Sequence, residues 1–158
     1  MLAAMGERAT PDSGVVDLGI VSLAASPHWR FYPMEDRLIG RPLSGVGVLT
    51  IIRLEKDLVP QTPSHEQCMA VALEAAGYDR DAPGSNRAKD YCDNCIAGGE
   101  SFEVGEAFAR VWYRHCLDGM IAAWYACPFE RAKERSVIKM MNDADKMVAT
   151  LRLSPPVA

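Results

Sequence analysis

Residues 101–128, SFEVGEAFARVWYRHCLDGMIAAWYACP, form the densest apolar stretch of the chain, and their reading decides how its second half folds. At helical period Val111, Trp112, Cys116, Leu117, Met120, Ile121 and Trp124 cover nearly a whole helix circumference. A helix that is apolar all round is a buried one. The spacing therefore predicts a central helix over 102–126, begun at Ser101 and broken by Pro128. Beyond it Val137, Met140, Ala144, Met147 and Leu151 step alternately by three and four residues, the seam of a further helix over 129–152. The two helices are expected to form a C-terminal hairpin. The same Met-containing seam would also suit a second copy of the chain, so a homodimer through the C-terminal helix is the expected self-contact.

Working towards the N-terminus, the period changes. Residues 78–100 hold Gly, Pro, Asn and Asp with few aliphatic side chains, which reads as a long loop needing something other than a core to hold it. Before it, Ser64 and Gln67 make a Ser-x-x-Gln capping box, and Gly77 supplies the stop, so a helix is expected between them. Val46 to Leu54 is apolar on both faces and reads as a central strand. Val15–Leu23 and His28–Tyr32 are shorter strand candidates. The resulting fold class is α+β, with a small N-terminal antiparallel or mixed sheet packed on the C-terminal helical hairpin. Residues 15–153 form one domain, with a flexible arm over 1–14 and a flexible tail over 154–158.

Composition bounds the function. The chain has 158 residues, 49% hydrophobic and 24% charged, with a formal net charge of −4. That balance suits a globular domain and gives no electrostatic reason to expect nucleic acid or an anionic membrane as partner. The basic residues Arg131, Lys133, Arg135 and Lys139 alternate with Glu130 and Glu134, the pattern of a solvated helix face with local ion pairs. No apolar run is long enough to span a bilayer. An odd number of cysteines behind an N-terminus without a secretory pattern favours reduced thiols or metal ligands, and a cytoplasmic setting.

The chemistry-bearing residues are the cysteines and histidines. His65-x-x-Cys68 places an imidazole and a thiol one helical turn apart, and Cys92-x-x-Cys95 supplies two more thiols. Together they are the right number and type of ligand for one tetrahedral zinc ion, which would pin the long loop to the helix. His115 or Cys116 could replace His65. A thioredoxin-like redox pair would need a strand before Cys92 and a helix after it. Asp90-Tyr91 and Gly98-Gly99 do not read that way.

A second constellation surrounds Cys68, near a helix N-terminus where the backbone dipole favours a thiolate. Gln61, followed by Gln67-Cys68 and an Ala-rich helix, resembles the opening of papain-like cysteine peptidases. That resemblance covers fewer than 20 residues. It implies Gln61 as an oxyanion donor, Cys68 as the nucleophile and His115 as its base. The Gln-to-Cys spacing is one residue longer than the family's, and His115 falls on the expected helix rather than on a strand.

The reading that follows is a small soluble, non-enzymatic interaction or regulatory module. It would be stabilised by a structural zinc on His65, Cys68, Cys92 and Cys95, and its partner would be a protein or a second copy. A thiol-dependent hydrolase with Cys68 as nucleophile is the alternative.

Overall fold

The computed structural model describes residues 15–17, 21–55, 57, 59, 64–78, 85–92, 95–116 and 119–153. The expected arm over 1–14, the tail over 154–158 and Gln61 lie outside these residues. The architecture is α+β, dominated by an antiparallel sheet rather than by helices. Its strands are β3 (Trp29–Pro33), β4 (Leu38–Pro42), β5 (Val48–Leu54), β6 (Ser85–Cys92), β7 (Cys95–Val104), β8 (Ala107–Cys116) and β9 (Gly119–Pro128). They run in the order β3-β4-β5-β9-β8-β7-β6, so β5 and β9 are interior. A second sheet joins β1 (Val15–Asp17), β2 (Val21–Ala24) and β10 (Arg152–Leu153) in the order β1-β2-β10.

Helix α1 (His65–Ala75) and helix α2 (Arg135–Ala149) cover opposite faces of the large sheet. They do not form a C-terminal hairpin. The segment expected as a helix over 102–126 is instead the end of β7, all of β8 and most of β9. β8 and β9 pair in continuous register from Ala107↔Pro128 to Cys116↔Gly119. Much of the expected loop over 78–100 is also strand.

The reason is burial on both faces. Along β9, Met120, Ala122 and Trp124 meet α1, while Ile121, Ala123, Tyr125 and Cys127 meet α2. A strand covered on both sides loses the alternation of polar and apolar residues, and its sequence becomes a continuous apolar run. Periodicity alone cannot separate such a run from a buried helix.

Helix α1 forms where the capping signal places it. Ser64 Oγ accepts from the Gln67 backbone N–H, and the Gln67 side chain accepts from the Ser64 N–H at 2.9 Å. Its buried side Cys68, Met69, Ala72 and Leu73 packs on Phe102, Val111, Met120 and Trp124. In α2 the seam Val137, Met140, Ala144 and Met147 faces the sheet, continued by Leu151 just beyond the helix. The seam read as a hairpin or dimer face is spent inside the fold. Among the described residues no helix is long and apolar enough to cross a membrane.

At the opposite end of the core, Gly47 adopts φ +87° and the Tyr125 ring occupies the place its Cβ would take. Tyr125 is fully buried and donates to the Val46 carbonyl at 2.7 Å. Burial pushes the Tyr125 hydroxyl well above the usual phenol range, so it stays a donor. We expect Tyr125→Phe to cost about 1–2 kcal/mol through the unmet carbonyl. Gly47→Ala should cost more, about 2–4 kcal/mol, because strain and overlap add. Urea denaturation of the two variants checks the order.

Candidate functional site

Two polar constellations stand on the large sheet, one on each face. Under α1 lies His65, at the first position of the helix and 3% exposed. Its Nδ1 is 2.8 Å from Tyr113 Oη on β8, and its Nε2 is 3.0 Å from Glu100 Oε2 on β7. The side chains of His65 and Glu100 are almost entirely shielded from water. Where the Glu100 oxygen accepts, Nε2 carries the proton. In the neutral ring Nδ1 is then the acceptor for the Tyr113 hydroxyl. The network is a buried polar tie between α1 and the sheet, and both ring nitrogens are used by it.

This placement decides what happens to the expected zinc ligands. His65 and Cys68 do share the inner side of α1. Cys92 and Cys95, however, end β6 and open β7, five residues along β7 from Glu100. Five extended residues span roughly 17 Å along the strand, which sets the Cys95 backbone well apart from Glu100, where the His65 ring is held. Among the residues whose side chains are described, which do not include Cys92, Cys95 or Cys116, no three His, Cys, Asp or Glu side chains converge as a metal group.

Cys68 is fully buried, and desolvation pushes its thiol up to about 11. The helix-end dipole works in the opposite direction but supplies at most about 1 kcal/mol. Burial wins. His115, implied as its base, lies on β8 opposite Ile96 rather than on a helix. Cys127 is likewise buried, and desolvation raises its thiol.

The second constellation was not among the residues singled out from the sequence. On the face under α2, Arg110 Nε donates to Asp145 Oδ1 at 2.7 Å, and Arg110 Nη1 donates to Ser101 Oγ at 2.9 Å. Trp112 Nε1 donates to the same Asp145 oxygen at 2.9 Å. The Arg110 guanidinium also lies 5.6 Å from the centre of the Trp112 ring, within range of a cation–π contact. These groups wall a cavity of about 240 Å³ between β7, β8 and the last turns of α2. Ala97, Gly98, Gly99, Arg114, Val148 and Ala149 are also among its lining residues.

Gly99 is what allows the indole to lie there. A Cβ at that position would sit 2.7 Å from Trp112 Cδ1. The pairing Gly99↔Trp112 sets a missing side chain directly opposite the largest one. Gly98-Gly99 was legible as a punctuating pair, but its cross-strand partner could not be known without the register. Asp145 is one of two acidic residues on α2, beside Asp143, and nothing local distinguishes it.

Neither a family model nor a curated protein sequence matches this chain significantly. A crystal structure of a protein from Bacteroides thetaiotaomicron VPI-5482, at 1.50 Å resolution, superposes with a TM-score of 0.50 at 11% sequence identity. The match covers 85% of this chain and 45% of that one, so this chain spans less than half the length of its structural relative. The likeness is one of fold.

Two outcomes follow from the buried face. Iodoacetamide should leave Cys68 unmodified in the folded protein and label it only after denaturation, as read by peptide mass mapping. His65→Ala removes both hydrogen bonds to the ring and should destabilise the fold by about 2–4 kcal/mol in urea.

Proposed function

We propose that this chain is a non-enzymatic binding module that seats a small ligand in the cavity between β7, β8 and α2. The observation that carries the reading is the Arg110–Asp145–Trp112 wall. Its three side chains fix one another before any ligand arrives, and Ser101 holds the guanidinium from behind. Small-molecule sites are typically concave and largely apolar, with a few fixed polar groups. Ala97, Val148, the two glycines and the indole supply the apolar part here. The Arg110 guanidinium, fixed at the cavity wall, favours a ligand carrying a carboxylate or another hydrogen-bond acceptor.

Burial of Cys68 supports a binding role over the thiol-hydrolase alternative, because a thiol shifted to about 11 is a poor nucleophile at neutral pH. Any partner protein would meet the exposed side of α2, where Ile138 stands out to solvent, rather than its buried seam.

The test is a thermal-shift screen of planar ring carboxylates and amides, repeated on Ala149→Trp, which fills the cavity mouth from an exposed helix position. A ligand at 100 times its Kd should stabilise the protein by about 2.7 kcal/mol. The expected result is saturable stabilisation by at least one compound, lost in Ala149→Trp, whose unliganded Tm matches wild type. Absence of any saturable shift, or shifts that survive Ala149→Trp, would overturn the reading.

A further inference from the structure

The strand register brings together three cysteines that the sequence scatters. Cys92 on β6 pairs with Cys95 on β7. Between β7 and β8 the paired register begins at Ile96↔His115, and Cys95 and Cys116 are the next residue outward on each strand. Cys116 in turn pairs with Gly119 on β9. Cys92, Cys95 and Cys116 therefore occupy one row across three adjacent strands, at the end of the sheet where only two residues join β6 to β7 and two join β8 to β9. Directly paired positions of antiparallel strands belong to the same face.

We propose that this row binds a thiophilic divalent metal ion of the zinc type through Cys92, Cys95 and Cys116. Neighbouring strands lie roughly 4.8 Å apart, which puts the outer two Cα atoms on the order of 10 Å from each other. A thiolate holds zinc roughly 5 Å from its own Cα, the 2.3 Å Zn–S bond included. Three consecutive strands are thus within reach of one ion, and a fourth is not.

The odd count also favours a metal. A disulfide between one register pair would leave the third thiol over, whereas an ion takes all three as thiolates and releases their protons on binding. Its fourth position is open to water or a further donor. Both remaining cysteines of the chain, Cys68 and Cys127, are buried in the two cores. The site replaces His65 and Cys68 of the expected set by Cys116. It is independent of the ligand cavity, although Ala97 and Arg114 of that cavity lie two residues away along the same strands.

The experiment is a cobalt titration of the reduced full chain without oxygen, followed by the thiolate-to-cobalt charge-transfer absorption. The expected result is saturation at one ion per chain and displacement by zinc. Cys92→Ser, Cys95→Ser and Cys116→Ser should each weaken binding at least about tenfold, while Cys127→Ala leaves it unchanged. Alkylation of the wild-type protein with and without zinc covers the case of a serine variant that fails to fold. Zinc should protect Cys92, Cys95 and Cys116 together. No saturable charge-transfer band, a band that Cys116→Ser leaves intact, or protection that omits Cys116 would overturn the assignment.

Discussion

The structure depends on the burial of β9 on both of its faces. Every residue from Gly119 to Tyr125 is buried, and the strand is gripped on one edge by β5 and on the other by β8. Its backbone groups find partners in those two ladders, which removes the cost of placing them far from water. Its side chains alternate between two cores. Met120, Ala122 and Trp124 build the core under α1, and Ile121, Ala123, Tyr125 and Cys127 build the one under α2. Ala122 on one side and Ala123 on the other keep the middle of the strand thin. Neither helix could bury its apolar side without this strand, and the strand would expose one face without either helix.

That arrangement also divides the chemistry. On the face under α1 the buried His65 bonds to both Glu100 and Tyr113 and ties the start of α1 to the sheet. Buried polar networks that are fully satisfied specify a single packing arrangement more than they add net stability. On the other face a cavity separates the last turns of α2 from β7 and β8. Gly99 lets the Trp112 indole lie across β7, while Arg110 and Asp145 supply polarity to the cavity wall.

Much of the N-terminal half was legible in the sequence. The β-branched run to Leu54 became β5, His28–Tyr32 foreshadowed β3, and the Ser64–Gln67 box fixed the start of α1 to the residue. Each is a local signal with a local cause. The three-four seam of α2 was equally plain, because one side of that helix is exposed and its polar residues survive there. What failed was 102–126, where burial on both faces erased the period that would have marked two strands. Gly105, with φ +61°, sits between β7 and β8, and Gly119, with φ +139°, opens β9. Those two glycines, with Phe108, Val111, Trp112 and Tyr113 between them, were the available hints of strands. The same loss of period hid the residues of the proposed sites. Arg110, Trp112 and Gly99 gain their meaning from register, as do the cysteines at the hairpin ends, and register is not a local property of sequence.

Native-state hydrogen exchange of the full chain tests the dependence on β9 most directly. The account predicts that amides of β9 and of its neighbours β5 and β8 exchange last and together, through global unfolding alone, while those of β3 at the sheet edge exchange earlier. Amides of β9 that exchange before those of β3, or protection over 102–126 continuing unbroken through Gly105 and Gly119 as in a single helix, would contradict it.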